Sequence, residues 1–288
     1  MKYVIPTILF TSIALVGCNP GDSSKGTMTL NIKADKAPTA KQATRAINRA
    51  ATAALAIDVI DVLGSVKGTV TLTDAWVVIE EIELEHEDDY APNETEVASA
   101  EDIEFEGPFV LDLKTNTVYP ELPMISIKSG TYTDIEFDLE PLLNEDLAGL
   151  VDLDEATKAQ LTGKTIYFKG DYQALGSADT VPFSLETSEE IDFELNAQSL
   201  DANGFVIDSI GINDVIVAFK MATWFDFSNL ETNEYDHLDL SVFDSTTGIA
   251  LTDNNAQILD VIAENIEFSA DYGVDEDDDG ELDDEDED

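Results

Sequence analysis

Four times the chain writes the same three-residue pattern: Ile103-Glu104-Phe105, Ile135-Glu136-Phe137, Ile191-Asp192-Phe193 and Ile266-Glu267-Phe268. Start-to-start spacings of 32, 56 and 75 residues rule out a tandem repeat array. What recurs is a physical solution, apolar toward a core and carboxylate toward water at period two, the signature of a half-buried β-strand. Phe109, Leu111 and Leu113 extend the first inward row, Leu139 the second and Leu195 the third. Between Asp74 and Leu84 the inward set switches from odd to even positions after Ile79, which one extra residue, a β-bulge near Glu80–Glu81, would explain.

Further strands are expected at 27–32, 165–172, 181–186, 205–207, 213–220 and 238–243, separated by turn signals such as Lys128-Ser129-Gly130, Gly163, Gly176, Asn203-Gly204 and Gly248. Helices are few. Asp154 to Leu161 has an N-cap residue, an acidic first turn and Gly163 just beyond. From Asn254 to Ile266 a helix, with Ile258, Leu259, Ile262 and Ile266 on one face, competes with a last strand. The fold class this implies is all-β: an antiparallel β-sandwich with few short helices.

The 288 residues include 62 Asp+Glu against 14 Lys+Arg, a formal net charge of −48. That excludes nucleic acid as a partner, because phosphate binding needs a basic face. Hydrophobic residues make up 43% of the chain, enough to build a core and too many for a disordered acidic polymer. A surplus of this size makes divalent cations natural partners, since anionic lipid is otherwise repelled.

The N-terminus reads as a targeting signal. Lys2 supplies the positive charge, and Tyr3–Gly17 is an apolar run too short to span a bilayer. It closes on Leu15-Val16-Gly17-Cys18, which resembles the lipobox of bacterial lipoproteins. The resemblance implies cleavage before Cys18 and acylation of that residue, the chain's single thiol. Several acyl chains anchor stably where one does not. Asn19 follows the cysteine, a pattern that in enterobacterial lipoproteins favours the outer membrane. The domain plan is therefore a signal peptide over 1–17, a tether over 18–26, a β-sandwich over 27–270 and an acidic tail over 271–288. An Ala-rich insert near 34–56 carries Lys36, Lys41, Arg45 and Arg49 with no acid after Asp35. Helix and mobile insertion fit it equally, and its charge suits the acidic body.

The order Gly26–Leu30, Thr71–Glu85, Gly107–Leu113, Gly130–Phe137 and Asp214–Phe225 resembles an uncharacterised family of bacterial lipoproteins. Its marks are a Thr73-Asp74-Ala75 strand, the strand starting Pro108-Phe109 and ending Asp112-Leu113, and a strand opening with Gly130-Thr131-Tyr132. The resemblance spans about residues 26–230 and implies a surface-directed β-sandwich of unknown function. It brings no catalytic residues with it.

Chemistry-bearing motifs are scarce. Neither a G-x-S-x-G elbow nor a Walker A loop occurs. His86, in Glu85-His86-Glu87-Asp88-Asp89, has no second histidine at i+4 and reads as a solvated loop residue; His237 stands 151 positions away. Carboxylate pairs for glycoside hydrolysis are everywhere among 62 acids and so identify nothing. The chain is read as non-enzymatic. Trp76 is expected in or beside the core, whereas Trp224 and Phe225, in Trp224-Phe225-Asp226-Phe227, are candidates for a sugar-stacking platform. The sharpest local motif is Asp275-x-Asp277-x-Asp279-Gly280-x-Leu282, which resembles the first half of an EF-hand or thrombospondin-type calcium loop. Glu281 stands at position 7 and Asp286 where that loop has its bidentate Glu. The competing reading is a solvated acidic tail. A second acidic stretch, Glu83–Glu106, reads as a long exposed hairpin loop. The resulting expectation is a lipid-anchored envelope lipoprotein, of the outer membrane, that binds or adheres with Ca²⁺ ordering its acidic segments. Its partners would be the membrane, divalent cations, and a surface glycan or envelope protein.

Overall fold

The alternation read along residues 74–84 belongs to one 21-residue strand, β3 (Val66–His86), around which the larger sheet is assembled. The computed structural model describes residues 25–35, 55–86, 103–196, 204–228 and 238–275. Along β3 the inward parity changes twice. Gly68, Val70 and Leu72 give way to Ala75, Val77 and Ile79, and these to Ile82, Leu84 and His86. Each change is a register shift. Leu72 faces Gly170 and Asp74 faces Lys169, so Thr73 is the extra residue. Ile79 faces Phe109 and Glu81 faces Glu106. The expected irregularity at Glu80–Glu81 is therefore present, but the additional residue sits on β4 (Ile103–Asp112), at Gly107–Pro108. Only glycine fits there: a Cβ on residue 107 would lie 2.5 Å from the Glu80 carbonyl oxygen and 2.6 Å from that of Ile79.

Both edges of β3 are shared. One edge pairs with β2 (Leu55–Ile60) and then β4; the other pairs with β8 (Ile166–Ala174) and then β7 (Gly130–Leu139). The sheet continues through β10 (Ile191–Asn196) beside β7, and through β9 (Val181–Thr187) and β13 (Ile249–Leu251) beside β8. Short β5 (Thr117–Tyr119) and β11 (Phe205–Ile207) pair with β4 and β7. A smaller sheet runs β14 (Ala270–Val274), β12 (Ile212–Lys220), β1 (Lys25–Asp35), β6 (Ile125–Lys128). The class is all-β with two α-helices among the described residues. Antiparallel pairing predominates, as expected, with two parallel pairs added, β1 with β12 and β13 with β9. Strands from distant parts of the chain are free of the hairpin constraint that makes neighbours antiparallel.

The inner faces of the two sheets share one apolar core. Met28, Leu30 and Ile32 of β1 and Val215, Val217 and Phe219 of β12 belong to the same buried cluster as Ile82, Leu84, Ile135, Phe137 and Phe193. Helix α2 (Ala256–Glu267) adds Ile258, Val261, Ile262 and Ile266. The connection from β7 to β8 folds over the outer face of the larger sheet. It includes α1 (Glu155–Leu161), capped by the Asp154 side chain on the Ala156 and Thr157 amides. Leu142, Leu150, Leu153 and Leu161 bury Val78, Val110 and Tyr167 there, with Trp76 packed against them.

Two local expectations are overturned. Ile266-Glu267-Phe268 is not a strand: Ile266 is buried in α2, Glu267 ends it, and Phe268 is 62% exposed. A run this short satisfies both period 2 and period 3.6, and the preceding Ile258–Ile262 face decides for the helix. Residues 238–243 likewise form no strand; Ser241–Asp244 is a turn of 3-10 helix that buries Phe243.

Candidate functional site

The Ile-acid-Phe triplets of β4 and β7 fall in register across β3, while that of β10, antiparallel to β7, meets them at Phe193. Ile103, Leu84, Ile135 and Leu195 form one inward row, and Phe105, Ile82, Phe137 and Phe193 the next. Period two then dictates the opposite face. Glu104, Glu83, Glu136 and Glu194 line up across four strands, and beside them Glu106, Glu81, Asp138 and Asp192. Strands lie about 4.8 Å apart and alternate residues about 6.7 Å, so eight carboxylates form a two-by-four grid. A third row continues it with Glu85, Asp134 and Asn196. No Lys or Arg occurs in residues 76–86, 103–112, 130–139 or 191–196.

Like charges directly opposite on a sheet repel, and these acids register it. Partial burial, then the charges of Glu104, Asp138 and Glu106, raise the Glu81 carboxyl above its ordinary range. Burial, then Asp138, Glu194, Asp192 and Glu81, does the same to Glu136. Asp138 is raised by burial and by Asp192. Asp134 is raised chiefly by burial, against hydrogen bonds donated by Thr133 and Asn196. Glu80 is raised by burial and by Asp146, Glu140 and Glu81. Among the described residues no three acids or histidines converge tightly enough to hold a metal ion as a chelate. The grid is a flat charged lattice, suited to gathering cations over its area.

Two clefts open beside the sheets, the first sharing Asp192 with the grid. One, of about 440 Å³, runs between α2 and the β9–β10 connection, with Ile166, Leu185, Phe193 and Leu259 among its apolar lining. Glu189, Glu190, Asp192, Asp260, Glu264 and Glu267 supply its acids, and Glu267 is raised by burial, then by Glu264 and Glu194. The other, of about 720 Å³, lies along β1 from Thr29 to Lys33, facing Asn116–Leu122, with Asp152, Asp214 and Asp275 at its margin.

The sequence candidates fare unevenly. Trp224 and Phe225 are 1% and 0% exposed, which corrects the idea of a sugar-stacking platform: neither ring presents a face to solvent. Trp224 stacks on Phe168 at 5.7 Å, meets Phe219 edge-on at 6.2 Å and donates from Nε1 to Ser269 Oγ at 2.7 Å. Phe225 packs against Phe183, and backbone bonds tie its carbonyl to the Ile60 amide and the Phe227 amide to the Ile60 carbonyl. Trp76, half-buried, lies beside Tyr119 under the α1 connection. His86 is also corrected: it is buried, the last inward residue of β3, and meets Tyr132 edge-on at 5.0 Å. Of the calcium candidates, Asp275 is buried just past β14, its amide bonded to the Asp214 carbonyl. Asp277, Asp279, Glu281 and Asp286 lie outside the described residues, as do Cys18, His237 and residues 36–54 of the Ala-rich insert. The sequence pattern puts Glu104, Glu136 and Asp192 on outward positions of their strands, but the alignment that makes a grid appears only with the strand pairings. The chain matches no family model, no curated protein and no solved structure.

Proposed function

We propose that this is a lipid-anchored, non-enzymatic lipoprotein of the cell envelope, placed on the outer membrane, which binds or adheres through divalent cations gathered on its acidic sheet face. The observation that supports this reading is the two-by-four carboxylate grid on β4, β3, β7 and β10. Eight acids in register would be costly at neutral pH without counterions, and a doubly charged ion bridges two rows or joins the face to another anionic surface. Calcium suits such a face because it accepts variable oxygen geometry, whereas magnesium gives up its water reluctantly.

The test is thermal unfolding and direct calcium binding on the full chain, with magnesium and with sodium chloride at matched ionic strength. A millimolar site at ten times its Kd adds about 1.4 kcal/mol, and calcium is expected to raise the melting temperature by a few degrees beyond both controls. The increment is expected to shrink in the triple substitution Glu83→Gln, Glu136→Gln, Asp138→Asn. If the increment survives that substitution and vanishes in a chain ending at Val274, calcium belongs to the acidic tail instead. Equal effects of all three salts leave screening alone and sink the calcium reading.

One observation favours a second reading, a carboxylate-based hydrolase acting on polysaccharide. Glu267, raised above its ordinary value by burial and by Glu264 and Glu194 in an acid-rimmed cleft, has the kind of environment a general acid uses. Cleavage of any polysaccharide in a panel, lost in Glu267→Gln, would replace the first reading.

A further inference from the structure

One end of the molecule collects the finish of β3, the start of β1 and the turn between β11 and β12. His86 faces Tyr132, Ile207 faces Gly130, and Thr27 faces Ile212. The packing there is close: a Cβ on Gly26 would lie 2.3 Å from the Asp208 carbonyl oxygen and 2.7 Å from Ile207 Cγ2. Asn213 fixes the turn, accepting from the Asp208 amide at 2.9 Å and donating to the Thr27 carbonyl at 2.9 Å. A turn held this firmly nevertheless leaves its apolar residues outside. Ile210 is 87% exposed, Ile212 59% and Val206 56%. In a chain with 62 acids, three apolar side chains within seven residues at one tip call for a reason.

Lys25 opens β1 two residues before Thr27, and Thr27 pairs with Ile212, the first residue of β12, so Lys25 lies at the same end as the β11–β12 turn. Lys128 stands directly across from Lys25 on β6, a like-charge pair in a chain with 14 basic residues. Only residues 19–24 separate Lys25 from Cys18. Fully extended, that link spans at most about 24 Å, so an anchored Cys18 keeps this end of the body next to the bilayer. Lysines beside exposed isoleucines match an interface where hydrocarbon and anionic headgroups meet.

We propose that the β11–β12 turn is a second membrane contact, with Ile210 and Ile212 entering the lipid interface and Lys25 and Lys128 at the headgroups, while Cys18 supplies the tether. The proposal rests on the reading of Cys18 as the anchored residue, and the test separates the two. The chain from Cys18 onward keeps every described residue and has a single thiol, so it can be coupled through Cys18 to maleimide lipid in vesicles of phosphatidylethanolamine and phosphatidylglycerol. Ile210→Trp reports on the tip; Leu63→Trp, at the turn before β3 and 86% exposed, reports on the opposite end. With brominated acyl chains, the emission added by Ile210→Trp is expected to fall at least twofold and to shift to the blue. The emission added by Leu63→Trp and that of the parent chain should stay unchanged. An unquenched Ile210→Trp on the coupled protein, or equal quenching at residue 63, overturns the proposal. Whether cells acylate Cys18 is read separately from the mass of the N-terminal peptide, and a negative answer there leaves the vesicle result standing as a property of the tip.

Discussion

Trp224 uses both of its chemical characters indoors. Its ring fills the space between Phe168 and Phe219, and its Nε1 proton goes to Ser269, whose own hydroxyl donates to the Ile266 carbonyl at 2.7 Å. Removing the ring should leave a large cavity where the smaller sheet meets α2. Trp224→Ala is expected to cost about 3–5 kcal/mol, and Trp224→Phe clearly less, by denaturant unfolding. A loss below about 1 kcal/mol would mean that the site is far looser than its burial implies. The sequence held no sign of this, because Trp224-Phe225-Asp226-Phe227 has the same composition whether it lies in a core or on a surface. His86 was more legible. Ile82 and Leu84 had set the inward parity, and two residues further on the same count reaches His86; its acidic neighbours drew attention away from the periodicity.

At the scale of elements, β3 carries the arrangement, and its irregularities are what let it serve four partners. The offset at Gly107 lets Ile79 of the odd-inward segment and Ile82 of the even-inward one both face core residues of β4, Phe109 and Phe105. Gly107→Ala would press a methyl group into two carbonyl oxygens at 2.5 and 2.6 Å. It is expected to cost about 1–3 kcal/mol in urea unfolding; an unchanged midpoint would show that the backbone relaxes freely there. Much of this element was readable, since a parity switch in apolar positions is a local signal. The grid was not. The triplets put Glu104, Glu136 and Asp192 outward, but the alignment of the acids depends on pairings between residues dozens apart in sequence, which no local pattern encodes. For a similar reason β2, Leu55–Ile60, was hidden: its first residues belong by composition to the Ala-rich insert, and only its pairing with β3 marks it as a strand.

For the whole molecule, the charged groups divide into two sets with opposite pH behaviour. Glu80, Glu81, Asp134, Glu136, Asp138 and Glu267 are raised above their ordinary values. Just above those ordinary values the folded state binds more protons than the unfolded chain, so stability grows as pH falls through that window. Asp154 and Asp239 are lowered, by hydrogen bonds from Thr157 and Ser241 respectively. What they contribute is present above the ordinary Asp value of 3.8 and disappears below it. The melting temperature in a calcium-free buffer should therefore be higher near pH 5 than near pH 8, and the gain should stop below about pH 4, where the lowered pair begins to lose its share. A melting temperature that only falls on acidification would show that the sheet face is not strained by its own charge.

The parallel seam between β1 and β12 also fixes an order of events. Thr29 bonds to Asp214, 185 residues later, so β1 emerges from synthesis long before the strand that will cover its edge exists. Until then that edge of β1 has no strand beside it, next to the stretch that would carry the lipid. Closing such a distant contact is slow. A cell making this protein must keep its leading strand from sticking to other chains for most of the time the rest takes to arrive, which makes the earliest strand a natural client for a holding chaperone.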